Sequence, residues 1–193
     1  LLRTIWLRNG GRLRNSYYDD MAWLALAGDR LGALAAELGL PPDRQRPATG
    51  SYRGGAGSAD IPPGVDARRQ TLARECRATV SSVVLAAYQI VLSRYSGQED
   101  LVMAMGIAGR SRLELESVVG FFINLLPLRA DLSGTPTFAD YLERTHAGVL
   151  RAMEHADAPF ERILEAQRLP RSVGYTPFAQ ATYFFQSYPA RGE

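Results

Sequence analysis

Apolar residues concentrate in two neighbouring stretches of the chain, and they do so in two different ways. Residues 79–95, TVSSVVLAAYQIVLSRY, are apolar nearly all round at helical spacing, which predicts a helix in the centre of the fold with cover on every side. Thr79 or Ser81 is placed to cap it and Gly97 to end it. Residues 118–132, VVGFFINLLPLRADL, are apolar on both faces of an extended chain, the pattern of a buried strand. A single amide, Asn124, interrupts this run, and Arg129 closes it. An unpaired amide buried there costs about 1–3 kcal/mol. Asn124 is therefore either satisfied by neighbouring backbone or lines a channel.

The rest of the chain arranges itself around these two stretches. Residues 17–38 repeat apolar positions at helical spacing through Trp23, Leu24, Ala27, Leu31, Leu34 and Leu38, with Asp19 and Asp20 at the start. Gly39 and Pro41-Pro42 stop that helix and open an irregular connector. The glycine-rich 51–62 predicts at most an edge or bulged strand. Pro63 opens a helix to Arg77 with Val65, Leu72, Ala73 and Cys76 inside and Arg68, Arg69, Arg74 and Arg77 outside. A strand over 100–107 follows, then a helical or irregular link at 111–117. Thr137 caps an amphipathic helix whose inner face is Phe138, Tyr141, Leu142, Val149 and Met153. Ala158-Pro159 makes a bend into a short helix over 159–166, and 180–187 reads as a last strand. This alternation predicts an α/β domain: a mixed sheet of 100–107, 122–131 and 180–187 covered by helices 63–77, 79–95 and 137–153.

Composition narrows the chemistry. The 193 residues suit one domain with a sizeable core, and 46% hydrophobic with 22% charged content is ordinary for a globular protein. A net charge of +2, carried by arginines spread along the chain without a single lysine, makes no case for nucleic acid. One cysteine, Cys76, excludes an internal disulfide and reads as a small buried hydrophobe. No apolar run has the length of a membrane span, so a cytoplasmic location is expected. Two histidines, His146 and His155, match no metal-ligand spacing, no GxSxG is present, and GGAG at 54–57 lacks the features of a phosphate loop. From the residues alone this is an α/β domain with no catalytic constellation, no metal site and no membrane partner.

Several segments, read in order, nonetheless resemble one family. YYDDMAW (17–23) is similar to a Tyr-x-Asp-Phe/Tyr-Ala-Val-Trp stretch, with Tyr17, Asp19 and Trp23 matching and Asp20 and Met21 departing. LPPDRQRP (40–47) is similar to a Leu-Pro-Thr-Asp-Arg-Pro-Arg-Pro connector. LSRYSGQEDLVMAMGIAGRSRLELE (92–116) matches almost throughout. VVGFFINLLPLRADLSG fits Gly-x-Phe-Val-Asn-Thr with Leu125 in place of Thr. HADAPFE (155–161) resembles His-Gln-Asp-x-Pro-Phe-Glu, keeping His155, Asp157, Pro159, Phe160 and Glu161. RSVGYTPFAQ (171–180) is a weaker copy of Arg-Asp-x-Ser-Arg-Asn-Pro-Leu-Phe that retains Arg171 and Pro177. The chain is thus identified as resembling a condensation domain of a nonribosomal peptide synthetase, over nearly its whole length.

The resemblance implies a chloramphenicol-acetyltransferase-like half-domain with a two-layer mixed sheet. It implies that 1–193 is the C-terminal subdomain, with 1–50 as incoming helix and connector and 51–193 as core. The family's His-His-x-x-x-Asp-Gly signature is not in this chain, so no catalytic residue is assigned and the fragment alone is expected to be inactive. Asn124, Gly120 and Phe122 are expected to line the substrate tunnel. Tyr17, Asp19, Trp23, Arg129, His155, Asp157, Pro159 and Phe160 are expected to be structural, with Asp157 as an N-terminal cap and Arg129 paired to a carboxylate. Implied partners are the N-terminal half of the domain, donor and acceptor peptidyl carrier proteins bearing phosphopantetheine, and an adjacent adenylation domain; no cofactor is bound directly. Phe121, Phe122, Trp6 and Trp23 are more large aromatics than a modest core accommodates, so an exposed apolar face and weak self-association are expected. Two other readings remain: a non-catalytic module of the same fold that recruits a carrier protein or partner enzyme, and an epimerisation domain, against which GFFINLLPLR argues.

Overall fold

The computed structural model describes residues 37–42, 54–110, 113–167 and 176–186. The helix expected at 17–38 lies outside them except for Glu37 and Leu38, as do Trp6, Tyr17, Asp19 and Trp23. Five of the expected elements appear within a residue or two of their predicted bounds. Helix α1 spans Pro63–Glu75, α2 Val80–Ser96, β1 Asp100–Ile107, α3 Phe138–Glu154 and α4 Phe160–Ala166. Strand β2 starts slightly later than expected, at Asn124, and runs to Asp131. The 113–115 segment is a single 3-10 turn.

Local chemistry explains the ends. Thr79 Oγ1 accepts a hydrogen bond from the Ser82 N–H at 3.1 Å, and Gly97 at φ +71° closes α2 with its N–H on the Ser93 carbonyl. Thr137 caps α3 in the same way, accepting from the Asp140 N–H at 3.2 Å and donating to its carboxylate at 2.6 Å.

The sheet is mixed. β1 pairs antiparallel with β2 along its full length, from Asp100 opposite Asp131 to Ile107 opposite Asn124. It pairs in parallel with β3, Thr182–Tyr183. Two expectations need correction here. β3 is two residues long, not eight: after Tyr183 the chain leaves the ladder, and Phe184 and Phe185 turn outward and are exposed. And β2, the run that reads as the middle of the fold, is an edge of the sheet among the described residues; β1 is the centre, in the order β2-β1-β3. Pro127, which has no N–H to give a second neighbour, suits that edge. Residues 54–62 form no strand, as so many glycines disfavour one.

Alternate residues face opposite sides. Leu101, Met103 and Met105 with Leu126, Leu128 and Ala130 pack against Leu85 and Leu92 of α2, Ala152 of α3 and Leu38. On the other side Val102 meets Phe160 and Ile163 of α4 and Phe178. Phe178 is 2% exposed although its backbone sits at φ +60°, a conformation costly for a side-chain-bearing residue and held here by that packing. The α1 helix packs on α2 and α3, not on the sheet, through Ala73, Val83, Ala86, Tyr141 and Leu142.

Cover is therefore one-sided for elements expected to be wrapped. Ala87, Val91 and Tyr95 form an open stripe on α2, and Val65 and Met153 are exposed, because no described element lies over them. The inward side of α2 carries one buried amide. Gln89 Oε1 accepts from the Tyr141 hydroxyl at 2.8 Å and the Thr145 hydroxyl at 3.2 Å, linking α2 to α3. Burial pushes the Tyr141 phenol up to about 12. No single helix among the described residues is long and apolar enough to cross a membrane.

Candidate functional site

The connection between β1 and β2 is built around one arginine. The Arg110 guanidinium donates to the carbonyls of Leu115, Val118 (2.9 Å) and Gly120 (3.5 Å), and it stacks over the Phe122 ring with 4.4 Å to the centroid. Gly109, at φ +58°, lets the chain turn into this arrangement; a Cβ there would collide with the Phe122 carbonyl oxygen. Gly120 is held close as well, where a Cβ would meet the Phe122 ring at 2.9 Å. Two of the expected wall residues, Gly120 and Phe122, are thus in contact range of each other. Sequence reasoning does not single out Arg110; its only signal is its place after a glycine in a segment that carries the family resemblance.

What this clamp displays is apolar. Val119 is fully exposed and Phe121 is 88% exposed, with Leu113, Val118 and Ile123 exposed beside them. Large hydrophobics clustered in this way on one loop mark an interaction or ligand surface more often than scattered ones do.

The loop ends at Asn124, whose amide is engaged on every side. Nδ2 donates to the carbonyls of Ala156 (2.9 Å) and Ala158 (2.8 Å), and Oδ1 accepts from the Phe160 N–H at 3.3 Å. The 118–124 and 155–161 segments, distinct in the sequence, are therefore joined through one side chain. Asp157 does not cap α4 as expected: it is exposed, Pro159 is the N-cap residue with no side-chain cap bond, and the amide oxygen of Asn124 takes that place. His155 ends α3, its N–H on the Ala152 carbonyl and its own carbonyl accepting from the Ala158 N–H. Ala158 and Phe160 are buried beneath the bend.

Arg129 stands near the opposite end of β2, paired with Asp100 through two hydrogen bonds of 2.9 and 2.6 Å. These hydrogen bonds, donated to the Asp100 carboxylate, stabilise the charged guanidinium and raise its pKa. The other histidine is drawn into a contact that sequence spacing conceals: Ser82 Oγ lies 3.0 Å from His146 Nδ1 and 2.9 Å from Thr79 Oγ1. Ser82 is 1% exposed, so this serine-histidine pair ties α2 to α3 and offers no nucleophile to a substrate. Among the described residues no cluster of His, Cys, Asp and Glu has the makings of a metal site.

Comparison with known proteins gives this arrangement a family. The condensation-domain family model matches residues 23–193. One of the subunits of linear gramicidin synthase from Brevibacillus parabrevis is 42% identical over 160 residues, covering 83% of this chain and 2% of that protein. Among solved structures, the X-domain from teicoplanin biosynthesis superposes with a TM-score of 0.81 at 30% identity, over 93% of this chain and 39% of its own. The same X-domain in complex with OxyB gives 0.78 at 32%, over 82% and 35%. A four-domain nonribosomal peptide synthetase bound to AMP and glycine gives 0.84 at 21%, over 95% and 14%, a likeness of fold alone. The chain spans a small part of the synthases it matches and less than half of the solved domains. The match extends over most of the sequence, and the fold agrees with it: this chain belongs to the condensation-domain family of the nonribosomal peptide synthetases.

Proposed function

We propose that this chain supplies one wall of the substrate tunnel, and a docking surface for carrier proteins, in an enzyme that joins a carrier-tethered acyl or peptidyl thioester to the amine of a carrier-tethered acceptor. The observation that carries the reading is the clamped apolar loop: Arg110 and Asn124 fix its two ends while Val119 and Phe121 project outward with nothing among the described residues over them. A loop held in shape by polar bonds to its own backbone and to the neighbouring bend, yet apolar outside, suits contact with a further protein segment on one side and a slender thioester-bearing arm on the other. Gly120 and Phe122 line it, with Asn124 at its base.

In the reaction the acceptor amine attacks the thioester carbonyl, a C–N bond forms, the C–S bond breaks, and the amine proton passes to the departing thiolate. The arm and its thioester belong to the partner carrier proteins and are substrate here. The wall contributes water exclusion and orientation; the base that takes the amine proton is assigned to the His-His-x-x-x-Asp-Gly segment of the complementary half. The remaining proposed partners are that half and an adenylation domain that loads the acceptor.

Amide formation by the full-length parent protein, followed by mass spectrometry of the carrier-bound product, tests this. Phe121→Asp is expected to reduce product formation at least tenfold while leaving adenylation of the acceptor intact. Undiminished amide formation in that variant overturns the reading.

A second reading, a non-catalytic module that recruits a partner enzyme, is favoured by the 30–32% identity to the X-domain, which in one solved structure is bound to OxyB. The two differ in one readable feature of the parent protein: an intact His-His-x-x-x-Asp-Gly supports the condensing enzyme, and a degenerate one supports the recruiter.

A further inference from the structure

We propose that Asn124 is a positioning residue that makes the apolar loop and the first turn of α4 a single rigid unit. Its amide group has two donors and one acceptor, and all three are used on one bend: the Ala156 and Ala158 carbonyls take the donors, and the Phe160 N–H gives to the acceptor. The partners are 32 to 36 residues away in sequence, so the contact is between two segments and not within one turn. α4 is seven residues long and its N-cap Pro159 provides no side-chain bond, so the first-turn N–H depends on this distant oxygen. Ala158 is 1% exposed and Phe160 6%, which leaves little room for water to replace a lost partner.

The donor and acceptor pattern admits few substitutes. Leucine matches asparagine in size and offers neither donors nor acceptor. An ionised aspartate still carries an acceptor, but it turns negative oxygen toward the Ala156 and Ala158 carbonyls, and that repulsion drives the carboxylate off the bend and away from the Phe160 N–H. A protonated aspartate regains one donor. The loop that Asn124 terminates is held at its other end by Arg110, so releasing Asn124 frees one end of the wall while the other stays anchored. The effect on amide formation rests on the tunnel-wall reading above; the mechanical coupling does not.

Hydrogen exchange in the full chain tests the coupling. In Asn124→Asp at neutral pH, protection of the Phe160, Arg162 and Ile163 amides is expected to fall about tenfold, the equivalent of one lost hydrogen bond, while the Val102–Ala104 amides of β1 stay unchanged. Facing two carbonyl oxygens, the new carboxyl has its pKa raised above the ordinary value of about 3.9. Protection at α4 is therefore expected to recover partly as pH falls through the raised value, and Asn124→Leu should show the loss without the recovery. Unchanged protection in both variants overturns the proposal. So does an Asn124→Asp loss that spreads equally to β1, or one that does not recover at low pH. In the full-length parent protein, Asn124→Asp should lower kcat for amide formation about tenfold with KM for the carrier-bound acceptor and the melting temperature near the parent's. If the exchange results hold and the unsubstituted parent forms no amide, the wall reading fails and the positioning role stands. If the exchange results fail, the positioning role falls whatever the activity.

Discussion

Gly109 backs directly onto the peptide carbonyl of Phe122, at a distance that leaves no room for a side chain. Its φ of +58° adds a second restriction, since a left-handed residue bearing a Cβ costs about 1–2 kcal/mol before any clash. The relationship fixes where the loop begins relative to where it ends.

Gly109→Ala is accordingly expected to destabilise the protein by more than about 1–2 kcal/mol and to loosen the loop. Gly106→Ala provides the contrast. A Cβ at Gly106 would run into the Phe184 ring, a nominally worse overlap, but that ring is half exposed and free to swing. Its cost should stay below about 1 kcal/mol, helped by the lower backbone entropy of alanine. Urea denaturation of the two variants decides it, and equal costs would remove the distinction between backbone and side-chain obstacles.

The Tyr141 phenol gives an alkaline signature. Its folded pKa, about 12, lies above the ordinary value near 10, so the folded state holds this proton more tightly than the unfolded one. The stability it contributes is fully present below pH 10 and is lost as pH rises toward 12. Tyr141→Phe is expected to flatten the fall in stability above pH 10, leaving the share due to Tyr183, whose phenol is also raised by burial. At neutral pH the substitution should cost about 1 kcal/mol through the lost bond to Gln89. Denaturation at about pH 7, 9 and 10.5 separates the two effects; a profile as steep as the parent's would count against the burial argument.

Arg129 and Asp100 make a two-point ion pair across the β1–β2 ladder, but their side chains are 40% and 34% exposed. A double-mutant cycle should give a coupling of about 0.2–1 kcal/mol, shrinking as salt rises from about 0.05 to about 1 M. A coupling well above that range, or one indifferent to salt, would mean the pair is less solvated than its exposure indicates.

The exposed loop bears on association. With Val119 and Phe121 outside, the isolated chain is expected to self-associate weakly, and Phe121→Asp should reduce it. Sedimentation velocity at several concentrations measures this. A single monomeric species for the unsubstituted chain at high concentration contradicts the expectation.

Sequence reads well where structure is local. Thr79, Gly97 and Thr137 mark helix ends with bonds made within a turn, and those boundaries are legible from residue type and position. Asn124 shows the limit. Its isolation in an apolar run signals a buried amide needing partners, but those partners lie across the fold, at 156–160, where no spacing rule reaches. Asp157 misleads for the same reason: a carboxylate two residues before Pro159 looks like a cap, while the actual acceptor arrives from another strand. Within 118–132 only Asn124–Asp131 is strand, and 118–123 is largely exposed loop; the strand is legible as a strand but not as an edge, because apolarity on both faces reports cover by other layers and not the number of hydrogen-bonded neighbours. Arg110 and the Ser82–His146 contact leave no pattern in sequence, since each depends on segments meeting in space.

Gln89 has a consequence for which arrangement of α2 and α3 the chain can reach. Val83 and Ala86 of α2 pack with Tyr141 and Leu142 of α3, and a slide of one helix along the other by a turn, about 5.4 Å, would still bury apolar surface against apolar surface. The amide is not interchangeable. In a slipped pairing it would face methyl groups, and the hydroxyls of Tyr141 and Thr145 would lose their shared acceptor. Together with the Ser82–His146 contact, this polar side chain acts as an alignment mark between the two helices, discriminating among registers that hydrophobic burial by itself separates less sharply.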